Sequence, residues 1–374
     1  RYLMKTLLLV AGGRGGSDFF QGLLDGHSQI LSLPQYTPID NDFFQMINLK
    51  DSKKLAKNFI HLYPEFFNSR INKFERWNKL GKNKNSFFSV DKKKFIKNYT
   101  QLIQNQKKTE FNKIKCLHLA YSKAKGEDIK KKKLLFIHTH LVSWTKNFVK
   151  KINPPNTEII HIIRHPLASL SSPIKNWLNF ENGNSFFPKD LYFQLDLVFN
   201  GIYDLMLLRK VKIIQYENLH WNFKKTIGDF CKIYNIKYEK CLNKSTKNGL
   251  IWWGDVVSKK WLLGVNKNFK IIIDKKYFFA KDLIFFQFIN SRIIKKYNYK
   301  KLFLDKKILV NILPLKCELL VWKNTLKHLF LGFRWKHFLS IPYFYFLRII
   351  CINAYMLPNK KLPYCIGSKI KKKR

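Results

Sequence analysis

The segment spanning residues 5–24 constrains the fold more than any other part of the sequence. It begins with the apolar run Lys5-Thr-Leu-Leu-Leu-Val-Ala11, which has the length and composition of a buried strand. Five residues follow, Gly12-Gly-Arg-Gly-Gly16, whose glycines can take positive φ and approach a ligand closely. Ser17-Asp18 then offers a helix N-cap, and residues 19–24 are predicted to form the first turns of a helix. The segment therefore predicts a strand, a glycine-rich turn and a helix.

A turn of this kind is predicted to bind an anion, because free backbone N–H groups at a helix start attract phosphate or sulfate. A nucleoside triphosphatase would carry Gly-x-x-x-x-Gly-Lys-Ser/Thr here. This turn has Arg14 in place of the lysine, and its glycines have a different spacing. The sequence thus indicates a phosphate-like ligand held by a turn that is not a Walker motif.

Composition indicates a folded protein with an unusually basic surface. The chain has 374 residues, of which 46% are hydrophobic and 16% aromatic, and this excludes global disorder. Its 70 basic and 24 acidic residues give a net charge of +46. Such a charge suits nucleic acid, an anionic membrane surface, or anionic small molecules and glycans. Lys, Asn, Ile and Phe are all abundant, so the codon bias of an AT-rich genome explains much of the charge.

The cysteines indicate a reducing, cytoplasmic location. The six of them include no Cys-x-x-Cys pair and no cluster with histidine, so free thiols are predicted. No signal peptide is visible. The sequence begins at Arg1, which leaves open an N-terminal anchor upstream.

Alternation of apolar runs with helical patterns predicts an α/β fold whose central parallel sheet is flanked by helices. We expect a main domain at residues 1–300, with a helical cap inserted at 40–133, and a C-terminal helical extension with a basic tail at 301–374. Helices are predicted within the cap at 52–62 and 92–104. The runs predicted to form strands are residues 5–11, 29–33, 134–139, 158–163 and 212–215.

The C-terminal extension carries a long apolar segment. Residues 316–338 are predicted to form one helix, and residues 338–357 approach the length of a membrane span. Pro342, Arg348 and Asn353 argue against a spanning helix. We expect a helix buried in the C-terminal part; the alternative is an interfacial helix that gives the protein a peripheral membrane contact beside its basic tail.

Two histidines end one of the predicted strands. His138 and His140 alternate along the chain, so both are predicted to point into one crevice. No third ligand has a suitable spacing, so no metal site is predicted. A neutral imidazole is the usual general base for an alcohol. Hydrogen-bonded core histidines remain the alternative.

Two further strands end in polar residues. Arg164 follows one of them and can hold a phosphate bidentately, and Ser172 lies about two helical turns later. Tyr216 follows the other. Functional loops of a parallel sheet lie at the carboxyl ends of its strands, so one crevice is expected to hold Arg14, His140 and Arg164 together.

Taken in order, these segments resemble the sulfotransferases that use 3′-phosphoadenylyl sulfate (PAPS), which have a P-loop-like fold. The resemblance covers roughly residues 3–260. The family's 5′-phosphosulfate loop is similar to residues 13–18 and the following Leu-Leu-Asp-Gly-His27. Its 3′-phosphate motif is similar to the segment from Arg164-His-Pro through Ser172. Tyr216-Glu-Asn-Leu219 is similar to a Tyr-Glu-Asp-Leu motif of the family. His138-Thr-His-Leu141 is similar to the Lys-Thr-His-Leu that carries the catalytic base. Residues 247–255 loosely resemble the late loop that closes on the nucleotide.

The resemblance implies that PAPS is the co-substrate, that no metal is used, and that the acceptor is a hydroxyl or amine. A carbohydrate acceptor is preferred, because Trp177, Trp252 and Trp253 could stack on sugar rings and the basic surface would suit an anionic glycan; core packing is the alternative for these tryptophans. It implies His140 as the base, with Arg14 and His138 beside it in the catalytic group. The residues that it implies for donor binding are Gly13, Arg14, Gly15, Gly16, Ser17, Asp18, Arg164, Ser172, Tyr216, Lys247, Asn248 and Gly249.

Three departures from the family pattern keep other functions open. Gly15 replaces a serine, Asp18 stands where a hydroxyl often contacts the 5′-phosphate, and His138 replaces a lysine that assists the leaving oxygen. Asp18 would either turn away as a helix cap or repel the donor. The alternatives are a nucleotide-binding homologue without activity, another P-loop phosphoryl-transfer protein, and a basic nucleic-acid-binding protein. No nucleic-acid-binding motif is visible, so nucleic acid is not the expected partner.

Overall fold

The computed structural model describes residues 4–11, 15–179, 186–257, 261, 264–303, 312–332, 335–354 and 362–367. Within these ranges eight strands and fifteen α-helices are assigned. The strands are β1 (Lys5–Ala11), β2 (Ile30–Leu31), β3 (Leu134–His140), β4 (Thr157–Ile163), β5 (Val211–Gln215), β6 (Thr246–Lys247), β7 (Leu250–Ile251) and β8 (Tyr364–Ile366).

The helices lie between and after these strands. They are α1 (Ser17–Leu24), α2 (Asn41–Asn48), α3 (Ser52–Leu62), α4 (Pro64–Phe67), α5 (Lys92–Gln104), α6 (Glu110–Ala124), α7 (Val142–Ile152), α8 (Pro166–Asn179), α9 (Pro188–Met206), α10 (Asn218–Trp221), α11 (Phe223–Tyr234), α12 (Ala280–Ile289), α13 (Ser291–Lys296), α14 (Lys316–Gly332) and α15 (Trp335–Ala354).

Six strands form one parallel sheet in the order β2-β3-β1-β4-β5-β8. The central strand β1 pairs with β3 on one side and with β4 on the other, and its residues Leu7–Val10 are fully buried. A continuous apolar run suits a strand that is covered on both faces. The predicted α/β fold with a parallel sheet is confirmed. Its topology brings the carboxyl ends of β1, β3, β4 and β5 to one edge.

The sheet has an edge strand that the sequence did not predict. Strand β8 lies within the C-terminal extension and pairs in parallel with β5, Cys365 opposite Ile213. Both side chains are buried in the core that surrounds the sheet. Three residues of strand length carry too little periodicity to be recognised. The predicted extension therefore contributes a strand to the central sheet.

The predicted cap at residues 40–133 is mostly helical, and acidic or hydroxyl side chains cap its helices. Asp51 accepts a hydrogen bond from Lys54 N at 2.8 Å at the start of α3, and Asp91 caps α5 through Lys93 N and Lys94 N. These N-caps satisfy backbone donors that the first turn leaves unpaired. They explain why the predicted bounds of α3 and α5 agree with the structure. The cap side chains Phe59 and Tyr121 belong to the same buried cluster as the sheet.

The C-terminal helices differ from their predicted bounds. The single helix expected at 316–338 ends at Gly332, and α15 begins at Trp335 and continues through Pro342 to Ala354. No helix in the described ranges is long and apolar enough to cross a membrane. The expected burial of the second helix is wrong for one of its faces, since Leu339 is 67% exposed.

Buried histidines make the stability of this fold depend on pH. His118 is fully buried, and burial lowers its pKa to about 4, although its Nδ1 lies 2.9 Å from Ile114 O. In the unfolded chain this histidine has a pKa near 6.5, so between pH 7 and 4 the unfolded state binds a proton more readily than the folded state. Folding stability therefore falls as the pH decreases from 7 toward 4. Between pH 7 and 5.5 we expect this side chain to cost about 1 kcal/mol of unfolding free energy.

Urea unfolding at the two pH values, compared with a His118→Gln variant, measures this contribution. Glu217 and Glu318 act in the opposite sense because burial raises their pKa values, and they are common to both proteins. Equal pH dependence in the two proteins would contradict the assignment of a buried, neutral His118.

Candidate active site

The glycine-rich turn connects β1 to α1 as predicted. Gly12, Gly13 and Arg14 lie outside the described residues, whereas Gly15 and the residues after it are described. Helix α1 begins at Ser17, and its N-cap is Gly16, in the left-handed region with φ 87° and no side-chain cap. The prediction that Ser17-Asp18 caps this helix is therefore wrong. The backbone bends through Gly16 instead.

Gly16 is also a point of close approach. A Cβ atom at this position would lie 2.2 Å from Cδ2 of Tyr216, the residue that follows β5. Tyr216 packs edge-on against Phe19 of α1, with ring centroids 6.3 Å apart. The tyrosine that the sequence associated with donor binding thus lies against the glycine-rich turn. Position 16 requires glycine both for its φ and for the space that Tyr216 fills.

A Gly16→Ala substitution should destabilise the protein by more than a Gly26→Ala substitution. Both glycines have positive φ, 87° and 75°, but a Cβ at Gly26 meets nothing within 4 Å. The Gly26 variant carries only the conformational penalty, about 1 kcal/mol, while the Gly16 variant also carries overpacking of about 1–3 kcal/mol. Thermal unfolding of both variants measures the difference. Equal losses would show that Tyr216 does not pack against the turn.

The two predicted histidines meet at the end of β3. Nε2 of His138 lies 3.3 Å from Nδ1 of His140. The pairing register with β1 shifts between Leu9 and Val10, and His140 has a φ of 61°, which is uncommon for a side chain with a Cβ. The same Nδ1 atom lies 3.5 Å from Oγ of Ser17. The chain therefore turns at His140 and brings it to the first residue of α1.

Hydrogen bonds fix the protonation pattern of this histidine pair. Nε2 of Gln21 donates to Leu33 O at 2.8 Å, so the amide oxygen of Gln21 faces Nδ1 of His138 at 2.7 Å and accepts its proton. Nε2 of His138 is then an acceptor, and Nδ1 of His140 donates to it. Burial, then His140 and Lys247, lower the pKa of His138 well below its usual range, so it stays neutral. This arrangement leaves the basic lone pair of His140 on Nε2.

Asp18 lies beside the histidines. Its Oδ1 is 3.9 Å from Nδ1 of His138, and this oxygen is buried and has no hydrogen-bond partner among the described residues. The predicted helix cap is wrong, because Asp18 does not cap α1 and instead faces His138. Repulsion of the donor by Asp18 stays a prediction. Donor atoms of Asp18, His138 and His140 lie within 4.8 Å of one another, so the structure supplies a third metal-capable group that sequence spacing did not reveal.

An aromatic wall that the sequence did not predict covers His140. The ring of Tyr36 stacks on the imidazole with centroids 4.5 Å apart and planes inclined by 24°. Trp144 of α7 stacks in turn on Tyr36 at 6.1 Å. No local pattern distinguishes these two side chains from core aromatics. The three rings therefore form a stack that begins at the imidazole.

Arg164 follows β4 at the same edge of the sheet. Its Nε is buried without a hydrogen-bond partner in the described part of the chain. Its guanidinium lies 5.5 Å from the ring centroid of Tyr216 and 5.9 Å from that of Phe269. Ser172 is half-buried in the second turn of α8, two residues after the buried Leu170. A buried guanidinium nitrogen that lacks an acceptor fits an anionic ligand.

Glu217 holds the strand ends around Arg164 together. Its carboxylate accepts from His165 N at 2.7 Å and from the Tyr299 hydroxyl at 3.1 Å. Burial raises its pKa, and the bond from His165 N is the largest opposing influence. Tyr216 N donates to Ile163 O at 2.7 Å, which ties the end of β5 to the end of β4. These contacts set the relative positions of Arg164 and Tyr216.

Residues 247–249 form a hairpin turn behind α1. Nζ of Lys247 is buried and donates to Pro34 O at 2.9 Å, and burial lowers its pKa. Asn248 Nδ2 donates to the Tyr121 hydroxyl, and Gly249 N donates to Asp25 at 2.7 Å. Positive φ at Asn248 and Gly249 is typical of a two-residue β-hairpin turn. The structure thus places this predicted donor-binding group in contacts within the protein.

His27, the histidine next in order as a candidate base, is held by both of its nitrogens. Nε2 lies 2.8 Å from Lys237 O, and Nδ1 accepts from Gln29 N at 3.0 Å. The ring is 1% exposed. Its contacts are those of a structural histidine, which favours His140 as the base.

Comparisons with known proteins give a limited result. No protein-family model matches the chain, and no curated protein matches its sequence. Solved structures with some similarity include the sulfotransferase domain of the curacin biosynthetic pathway, at 13% identity and a TM-score of 0.37, covering 87% of this chain and 99% of that one. Another is the sulfotransferase domain of a Synechococcus olefin synthase, with 14% identity and a TM-score of 0.36. The match covers 70% of this chain and 82% of that one.

A sulfotransferase from Mycobacterium tuberculosis is also similar, at 10% identity and a TM-score of 0.34, covering 73% of this chain and 76% of that one. Similarity at this level assigns no family and no activity. Any function must therefore be inferred from the residues at the carboxyl edge of the sheet.

Proposed function

We propose that the protein is a sulfotransferase that moves a sulfuryl group from PAPS to an acceptor hydroxyl or amine. The observation that carries this proposal is the contact between Nδ1 of His140 and Oγ of Ser17, which sets an imidazole base against the anion-binding turn. A base at that position is suited to deprotonate an acceptor that attacks a group held by the turn.

The donor would be held at two points along the sheet edge. Backbone N–H groups of the turn, with Arg14 and Ser17, would bind the phosphosulfate and stabilise charge on the leaving bridge oxygen. The buried Nε of Arg164 supports a second anionic group on the same ligand, which suits the 3′-phosphate, with Ser172 beside it. Tyr216 lies between these points, since it contacts both Gly16 and Arg164.

Transfer at this site would use His140 as the base. Nε2 of His140 accepts the acceptor proton while the acceptor oxygen bonds to sulfur and the bond from sulfur to the bridge oxygen breaks. Adenosine 3′,5′-bisphosphate leaves. This chemistry requires no metal.

A carbohydrate is the acceptor class that we propose. Tyr36 and Trp144 offer a stacked aromatic surface beside the base, and such surfaces suit the apolar face of a sugar ring. The tryptophans at 252 and 253 are instead held by bonds from their indole nitrogens to Glu75 O and Gly81 O.

Ligand-dependent thermal stability tests donor binding. Adenosine 3′,5′-bisphosphate without metal should raise the melting temperature, and ATP with Mg²⁺ should raise it much less, because Arg164 is proposed to bind the 3′-phosphate. A larger effect of ATP with Mg²⁺ would contradict the proposal and favour a phosphoryl-transfer protein. Tight, steeply salt-dependent oligonucleotide binding with no response to the bisphosphate would favour a nucleic-acid-binding protein.

Gln21 is proposed as the positioning residue for the base. Gln21→Met removes the oxygen that orients His138, so Nδ1 of His140 loses its defined role as donor. We expect kcat to fall about tenfold, with its acidic pH limb displaced and KM for the donor unchanged, because the bonds of Gln21 to His138 and to Leu33 O are both lost away from the donor. A Gln104→Met variant at the exposed end of α5 is the control. An unchanged pH profile would contradict the hydrogen-bonded chain from Gln21 to His140.

A further inference from the structure

Helix α15 exposes an apolar stripe along its whole described length. The stripe consists of five large side chains spaced three or four residues apart, so they lie on one helix face. At 1.5 Å per residue it is about 22 Å long. Its members and their exposed fractions are Trp335 (51%), Leu339 (67%), Tyr343 (61%), Phe346 (60%) and Ile350 (64%).

The opposite face of α15 packs against the protein and is mainly apolar, but it also carries a buried charge. Arg348 is 1% exposed and forms an ion pair with Glu318 of α14, with Nη2 and Oε2 3.0 Å apart. Nη2 of the same arginine also donates to Leu313 O at 3.1 Å. A surface helix in water normally buries its apolar face and exposes its charges. Helix α15 instead buries its arginine and exposes an apolar stripe, which indicates that the stripe contacts an apolar phase or partner.

Apolar and basic side chains continue around the stripe. Ile312 and Leu313, beside Tyr345 and Arg348 of α15, are 61% and 59% exposed. Lys336, next to the first stripe residue, is exposed. Lys323 and Lys327 are exposed on α14, the helix whose Glu318 pairs with Arg348 of α15. The sequence of α15 contains no acidic residue. The surface therefore combines apolar insertion groups with positive charge.

We propose that the α15 stripe docks on the surface of an anionic lipid bilayer, with the helix lying in the plane of the interface. Charge decides between this occupant and a second copy of the chain. Two copies, each with a net charge of +46 over the whole chain, would repel each other, whereas anionic headgroups attract lysines. Trp335 and Tyr343 have the amphipathic rings that favour the headgroup boundary. The docking is peripheral, since no described helix can span a membrane.

Vesicle flotation tests this proposal and is independent of any sulfotransferase activity. The purified chain is mixed with vesicles of phosphatidylcholine alone, or with 30 mol% phosphatidylserine, at low and high salt. We expect binding to the anionic vesicles, weakened by salt, and a partition coefficient about tenfold lower for a Leu339→Glu/Phe346→Glu variant. The matched control is Leu207→Glu, because Leu207 is 66% exposed and lies at the C-terminal end of α9, outside the stripe. It should bind like the unchanged protein.

Equal vesicle binding by the stripe variant and the control, with native circular dichroism for both, would overturn the proposal. So would a concentration-dependent dimer, seen by light scattering without vesicles, that the stripe variant abolishes. That result would assign the face to a second copy of the chain.

Discussion

A His140→Ala variant should retain donor binding and lose turnover by a factor of about 10²–10⁴, the usual contribution of a positioned general base. The variant removes only the imidazole, whose contacts include Ser17, His138 and Tyr36. Isothermal titration with adenosine 3′,5′-bisphosphate should give a dissociation constant within about threefold of the unchanged protein. Steady-state sulfate transfer then reports the loss in kcat.

The matched control is His61→Ala, an exposed histidine in the last turn of α3. It should leave both binding and turnover unchanged. Full turnover in the His140 variant would contradict the assignment of His140 as the base. His138 would then be the next candidate, because the variant removes the partner of its Nε2, whereas both nitrogens of His27 stay bonded.

An Arg164→Ala variant should lower the affinity for adenosine 3′,5′-bisphosphate by about 10- to 100-fold, because hydrogen bonds to charged groups contribute about 1.5–3 kcal/mol. In the protein without ligand, Nε of Arg164 has no acceptor among the described residues, so its removal costs little internal bonding. Adenosine 5′-phosphate, which lacks the 3′-phosphate, should lose much less affinity. The comparison of the two nucleotides isolates the 3′ contact.

Arg209→Ala is the control for the loss of positive charge. Arg209 is exposed just before β5 begins, at the opposite edge of the sheet from Arg164, and contacts Asn153. Its substitution should leave both dissociation constants unchanged. Equal losses for the two nucleotides in the Arg164 variant would contradict the assignment of this arginine to the 3′-phosphate.

The elements that the sequence predicted well are those with strong local signals. The strand at residues 5–11 is a continuous apolar run, and α3 and α5 start at aspartate N-caps, so their bounds agree with the structure. His138 and His140 were placed together correctly because alternation along a strand brings side chains to one face. The register shift beside β1 and the positive φ of His140 could not be inferred from alternation alone.

The features that were missed depend on contacts distant in sequence. Gln21 orients His138 across 117 positions, and Tyr36 covers His140 from a loop with no motif. Gln21 lies four residues after Ser17 on α1, and residues four apart on a helix share a face. This spacing is the signal that could have indicated Gln21 as a second side chain that faces the site. The orientation of Asp18 followed the packing of His138 rather than the capping preference of its residue type.

Transfer of radiolabelled sulfate from PAPS tests the central claim most directly. The full chain is incubated with labelled donor and a panel of glycans, lipids and small alcohols, beside the His140→Ala variant. We predict label in at least one acceptor, with carbohydrates foremost, and about 10²–10⁴ less label with the variant. Absence of label from every acceptor, in a protein that still binds adenosine 3′,5′-bisphosphate, would contradict the account and indicate a nucleotide-binding protein without transferase activity.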